Sequence, residues 1–274
     1  MMKTKTIKFL AALLATVSFA VFGLGGCALP FGNLFGSSSE QSSLEESSVE
    51  SSVESSEESS VESSEESSEE SSEEVPANIF SRMRMACIGD SITNIGTDNK
   101  YTPLLQEELG LSFCFNYGVS GSTVAKCGGL SCISERYTQV SKSSNIISVL
   151  AGVNDCMNEV PLGTIDDTTN ETFYGALNIL LDGLKANHPD AYIFYMTPYK
   201  YIYWESQDLE SYVNAIKEVC ELKDIPVLDM FTYGNFDWNN PLYTADGLHP
   251  TAKFYEEYTV PQIAAYLREV FEQA

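Results

Sequence analysis

Four short segments of this 274-residue chain hold the residue types that acyl transfer needs. Gly89-Asp90-Ser91-Ile92-Thr93 offers a serine hydroxyl, and Asp246-Gly247-Leu248-His249-Pro250 offers a carboxylate three residues before an imidazole. A serine oxygen is a weak nucleophile until a base takes its proton. Asp246 bonded to Nδ1–H would fix the tautomer of His249 and leave Nε2 free to act as that base. Gly121, within Asn116-Tyr117-Gly118-Val119-Ser120-Gly121-Ser122-Thr123, has no side chain to keep its N–H from a substrate oxygen. Asn154, within Gly152-Val153-Asn154-Asp155, can donate a side-chain N–H to an oxyanion. Each segment also has a plainer reading: a serine capping a helix, glycines serving a turn, an asparagine bonded to its own backbone, a histidine in a surface turn. The only other histidine, His188, fits the plainer reading, because Asn187-His188-Pro189-Asp190 leads into a strand rather than out of one. Two histidines leave no room for a multi-histidine metal site.

The elements that must position these segments alternate between strand and helix. Short apolar runs at Arg84–Gly89, Leu111–Val119, Asn145–Gly152, Ala191–Met196 and Pro226–Met230 read as strands. Asn145–Gly152 is the most continuous of them, as a strand buried on both faces requires. Pro103–Leu109 reads as a helix stopped by Gly110. Phe173, Leu177, Leu180, Leu181 and Leu184 recur at helical spacing, as do Leu209, Val213, Ile216 and Cys220, and Ile263, Leu267, Val270 and Phe271. Such alternation with short connections predicts a parallel sheet between helix layers, with its site beyond the carboxyl ends of the strands. Ser91, Gly121 and Asn154 each follow one of those ends, with a helix N-terminus expected beside Ser91.

GDS, a glycine-containing second block, GxND and DxxH, in this order, resemble the SGNH (GDSL-type) hydrolases over residues 82–272. The resemblance implies a three-layer α/β/α sandwich with a central parallel sheet, flavodoxin-like in topology. It implies Ser91 as nucleophile, His249 as general base and then acid, and Asp246 as the group orienting His249. It also implies an oxyanion hole from the Ser91 N–H, the Gly121 N–H and the Asn154 side chain, with no metal and no organic cofactor. Asp90 and Asp155 match motif positions and read as turn-fixing residues. Thr251-Ala252-Lys253-Phe254, after His249-Pro250, lacks the glycine the resemblance leads one to expect. The implied activity is that of a serine esterase acting on small acyl esters, acetyl above all, of carbohydrate or cell-wall polysaccharide. A lipase or lysophospholipase-type acylhydrolase, an O-acyltransferase with the same triad, and a non-catalytic glycan-binding module are the alternatives. Within Tyr195–Trp204 five of ten residues are aromatic, and they serve either to stack on sugars or to pack a loop over the core.

The formal charge of −24 is unevenly spread. Residues 37–74 hold 14 Glu and no Lys or Arg, and residues 47–74 are seven tandem tetrads of SSVE or SSEE. At a four-residue period the helical contacts would be Glu on Glu, so a disordered, self-repelling tether is expected, reaching about 130 Å fully extended. Residues 75–274 carry 25 acids and 12 bases, a net −13 that makes nucleic acid an improbable partner. Upstream, Lys3, Lys5 and Lys8 precede an apolar stretch from Phe9 that ends in Leu24-Gly25-Gly26-Cys27. That is the layout of an export signal, and it is shorter than a membrane span. L-x-G-C resembles the lipobox of bacterial lipoproteins, which implies a signal peptide at 1–26, lipidation of Cys27, a tether to residue 75 and a hydrolase domain at 76–274. The protein is then expected at the cell surface, extracellular and held to the membrane by the lipid on Cys27. Six further cysteines, Cys87, Cys114, Cys127, Cys132, Cys156 and Cys220, permit disulfides there. Cys127 and Cys132 are close enough in sequence to bridge a loop, whereas Cys87 and Cys114 read as buried small hydrophobes.

Overall fold

The structure is a computed structural model, and it describes residues 78–94, 100–233 and 236–272. The expected export signal, Cys27 and the Ser/Glu tract lie outside the described residues. Five parallel strands, β1 (Arg84–Gly89), β2 (Phe113–Gly118), β3 (Ile146–Leu150), β4 (Tyr192–Met196) and β5 (Val227–Leu228), form one sheet in the order β2-β1-β3-β4-β5. This is the doubly wound order whose switch point lies between β1 and β3. The register aligns Gly89 with Gly118 and Leu150, and Leu150 with Met196, so the strands end at one level. Every residue of β3 is buried, as its unbroken apolar run requires.

Alternation along β4 shows the two faces of the sheet. Tyr192 and Phe194 point one way, their rings 5.3 and 5.2 Å from Phe271 and Tyr266 of the C-terminal helix. Tyr195 points the other way, toward Cys220. The helices accordingly form two layers. α1 (Tyr101–Leu109) packs on the C-terminal helix; α4 (Phe173–Asn187) packs on α5 (Leu209–Leu222). Two shorter helices, α2 (Ile133–Arg136) and α3 (Val153–Met157), precede α4. Gly110 stops α1 in the left-handed conformation, φ 66°. Thr172 caps α4 by accepting the Gly175 N–H, and Phe173, Leu177, Leu180, Leu181 and Leu184 turn their common face into the core.

The C-terminal helix is not regular. α6 (Ala252–Phe254) runs through a π turn, Tyr255–Thr259, into α7 (Val260–Glu272). Pro261 explains the widening, because it has no N–H to continue the ladder and its ring crowds the carbonyl one turn back. Thr251, where the family resemblance led one to expect a nearby glycine, caps this helix by accepting the Phe254 N–H. The remaining differences from the sequence reading are at ends: β2 starts at Phe113 rather than Leu111, and β5 is two residues long. None of the six cysteines among the described residues is bridged, including Cys127 and Cys132. Cys87 and Cys114 are buried in neighbouring strands, their sulfurs 3.7 Å apart.

Candidate active site

Ser91 stands two residues beyond the end of β1, in a turn closed by the Asn94 N–H on the Asp90 carbonyl. Asp90–Asn94 forms a turn, and the first α-helix among the described residues begins at Tyr101. The turn is held from several directions. Asp90 Oδ1 accepts the Ile92 N–H at 2.9 Å, Asn116 Nδ2 donates to the Thr93 carbonyl at 2.7 Å, and Tyr255 Oη donates to the Ile92 carbonyl at 2.6 Å. A Cβ on Gly89 would lie 2.2 Å from Thr93 Oγ1 and 2.6 Å from the Leu150 carbonyl oxygen, so only glycine fits between this turn and β3.

The loop that follows β5 returns His249 to the same place. His249 Nε2 is 2.9 Å from Ser91 Oγ, and its Nδ1 is 2.5 Å from Asp246 Oδ2. The other Asp246 oxygen accepts the backbone N–H groups of His249 and Leu248 at 2.8 and 3.0 Å. Partial burial pushes the Asp246 carboxyl up, but its bonds with the His249 ring and these two N–H groups outweigh that and bring it down to about 2. Asp246 is therefore a carboxylate at any working pH, set to accept from Nδ1–H and to leave Nε2 for the serine proton. His249 and Asp246 are both accessible, their side chains 33% and 51% exposed.

Gly121 and Asn154, the two other candidate donors, lie in segments tied to each other and to the end of β1. Gly121 lies at φ 75°, where a side chain would be strained. Asn154, in α3, is not bonded to its own backbone as an Asx turn would be; its Nδ2 donates to the Ser122 carbonyl at 2.9 Å. Asp155 fixes the same loop, its two oxygens accepting the N–H groups of Val124 and Ala125 at 2.8 and 2.9 Å. The Val119 N–H reaches the Gly89 carbonyl, joining the loop to the end of β1. Asp90 and Asp155 thus hold turns, and burial pushes both carboxyls up to about 7. Two residues without any motif join them. Tyr255 is the donor to the Ile92 carbonyl. Arg136 donates to the carbonyls of Tyr117 and Gly89 and to Ser122 Oγ.

His188 lies at the other end of the sheet, buried in the loop between α4 and β4, with its pKa lowered by burial and by Lys142. Among the described residues no three His, Cys, Asp or Glu side chains converge on a point that could hold a metal ion. The aromatic segment after β4 divides: Tyr195, Tyr199 and Tyr201 are buried, whereas Tyr203 is 59% exposed. Ile202, Tyr203 and Trp204 line a cleft of about 450 Å³ with Asp237, Trp238 and Asn239. Ile202 also donates its N–H to the Gly247 carbonyl, two residues before His249. Lys200 Nζ sits 4.6 Å from the centre of the Trp204 ring.

The sequence model of the GDSL-like lipase/acylhydrolase family matches residues 87–257, the span that contains all four motifs. Among solved structures, a protein from Lactobacillus plantarum is 26% identical, with 70% of this chain and 97% of that one covered and a TM-score of 0.59. A "possible lipase" from Chitinophaga pinensis is 22% identical, with 69% and 99% covered and a TM-score of 0.55. The M. smegmatis aryl esterase is 17% identical, with 69% and 100% covered and a TM-score of 0.52; at such identity these last two likenesses concern the fold. A search of the curated proteins finds no match. With the family's motifs at the carboxyl ends of a doubly wound sheet, the chain belongs to the GDSL-like lipase/acylhydrolase family and is a serine ester hydrolase.

Proposed function

We propose that the protein removes small acyl groups, acetyl above all, from carbohydrate or cell-wall polysaccharide through an acyl-Ser91 intermediate. The observation that carries this reading is the unbroken hydrogen-bond line from Asp246 through His249 to Ser91. His249 Nε2 takes the Ser91 proton as Oγ attacks the ester carbonyl. The carbonyl becomes a tetrahedral oxyanion, met by the N–H groups of Ser91 and Gly121 and the Asn154 amide. The imidazolium returns its proton to the departing sugar hydroxyl, leaving acyl-Ser91. Water, deprotonated by the same nitrogen, attacks the acyl carbon and releases the acid and free serine.

Two features support a carbohydrate alcohol. The proposed base and its carboxylate are open to solvent, which suits an ester carried on a bulky polar chain. The aromatic cleft beside Gly247 combines ring faces with Asp237 and Asn239, partners for a sugar's apolar face and its hydroxyls. Acetate release from a panel of acetylated glycans tests the reading, run beside nitrophenyl esters of rising chain length. The expected result is turnover of acetylated oligosaccharides and a fall beyond short acyl chains. A preference for chains of eight or more carbons would replace it with the lipase reading, and acyl transfer to added sugar in excess of hydrolysis with the transferase reading.

The same proposal places the enzyme at the cell surface: residues 1–26 removed as a signal peptide, Cys27 lipidated, residues 27–75 a spacer, and residues 76–274 the hydrolase domain. Its support is the basic, apolar and Leu24-Gly25-Gly26-Cys27 order of the N-terminus. Cys27→Ser should move the protein from the detergent phase to the aqueous phase on partitioning. Unchanged partitioning would contradict lipid anchoring.

A further inference from the structure

Arg136 reaches three groups that sit on two different parts of the site. From the end of α2 its Nη1 donates to the Tyr117 carbonyl at 2.6 Å, while Nη2 donates to the Gly89 carbonyl at 2.7 Å and lies 3.2 Å from Ser122 Oγ. Gly89 is two residues before Ser91, at the end of β1. Tyr117 is in β2, at the root of the loop that carries Gly121. Ser122 follows Gly121, and its carbonyl holds the Asn154 side chain at 2.9 Å. One planar guanidinium thus spans the Ser91 turn and the Gly121–Ser122 loop.

We propose that Arg136 is a positioning residue for the esterase reaction: it locks the Ser91 turn and the Gly121–Ser122 loop into the one spacing at which their N–H groups and the Asn154 amide converge on the oxyanion. This rests on the roles proposed above for Ser91, Gly121 and Asn154. A planar fork with diverging N–H groups is the side chain suited to bridging carbonyls on adjacent strands. Lysine would place a single point charge there and could not hold both strand ends at fixed separation. The arginine is itself well anchored. α2 is joined to the same loop by the Ile133 N–H on the Thr123 carbonyl and the Ser134 N–H on the Val124 carbonyl. Its charge is also matched locally: the buried Asp90 carboxyl, next to Ser91, feels the guanidinium and is held lower by it.

A misplacement of about 1 Å in such a site costs on the order of 100-fold in rate. For Arg136→Lys, kcat on nitrophenyl acetate should therefore fall about 10- to 100-fold with KM within about twofold of the parent. Binding of a phenylboronic acid, which forms a tetrahedral adduct with an active-site serine, should weaken by a similar factor. Guanidinium ion added to Arg136→Ala should restore part of kcat. A role confined to stability would lower the melting temperature and the folded fraction without separating kcat from KM or selecting against the boronate. Should the Arg136 variants fail to fold, Ser122→Ala removes one of the three acceptors and keeps the carbonyl that holds Asn154; its kcat should drop about fivefold, as loss of a hydrogen bond worth about 1 kcal/mol implies. A folded Arg136→Lys with unchanged kcat, or an unchanged Ser122→Ala, would overturn the proposal. Failure of the serine mechanism itself would show differently, as turnover retained in Ser91→Ala.

Discussion

In the proposed mechanism Asn154 serves the oxyanion and not the nucleophile, so this single side chain separates the two contributions. Its amide gives one N–H to the Ser122 carbonyl and has a second to offer. Removing one oxyanion donor costs about 2.7–4 kcal/mol, so Asn154→Ala should retain measurable turnover at about 10²- to 10³-fold below the parent, while Ser91→Ala should fall to background. Steady-state kinetics on nitrophenyl acetate distinguish the two. Asp90 makes a different prediction. Its Oδ1 is bonded to Ile92, its Oδ2 is buried without a partner, and burial pushes the carboxyl up to about 7 from an ordinary value near 4. A folded pKa above the unfolded one means a contribution to stability that is full below pH ~4 and is lost as pH rises through ~7. The melting temperature should fall between pH 5 and pH 8, and Asp90→Asn, which keeps an acceptor for Ile92, should flatten that fall. An unaltered slope in the variant would show that the titrating group lies elsewhere. At this scale the motif residues are legible because acyl chemistry restricts residue type at a strand end. Arg136 and Tyr255 are not, because their bonds to Gly89 and Ile92 span 47 and 163 residues and neither belongs to a periodic pattern.

At the scale of elements, the helices and buried strands are readable from spacing. The apolar run of β3 and the i, i+3, i+4 pattern of α4 leave few other ways to cover their surfaces. Their ends are less so. β5 pairs only with β4, so its two residues are set by that contact rather than by the run Pro226–Met230. A helix N-terminus was expected beside Ser91; the described residues after β1, Asp90–Asn94, form a turn that the Asn116 amide and the Tyr255 hydroxyl hold by its Thr93 and Ile92 carbonyls. In the aromatic segment Tyr195–Trp204, burial takes Tyr195, Tyr199 and Tyr201, as packing over the core requires, and leaves Tyr203 outside. Gly89 is a tight joint between elements, where an added Cβ meets the β3 backbone. Gly89→Ala must part β1 from β3 or displace Thr93. It should destabilise the fold by about 1–3 kcal/mol and move the Ser91 turn, so that denaturant melts and turnover suffer together. An alanine variant with parental stability and activity would contradict the packing described here.

Across the whole molecule, charge and cysteine content are plain in the sequence, but thiol pairing is not, since it depends on distances that only the fold sets. Six cysteines permitted disulfides, and the structure carries all six as free thiols, five of them buried. Thiol titration of the unreduced, denatured protein should therefore count every one of Cys87, Cys114, Cys127, Cys132, Cys156 and Cys220, and reductant should leave the melting temperature unchanged. A titration short by two would require a bridge and a rearrangement of the strands or loops that hold the pair.

The esterase account depends on Ser91 being driven by His249, and peptide mapping after labelling with a fluorophosphonate measures that dependence directly. The adduct should appear on the peptide containing Ser91, and its rate of formation should collapse in His249→Ala. Labelling at another residue, or labelling of Ser91 at an undiminished rate once the imidazole is gone, would contradict it.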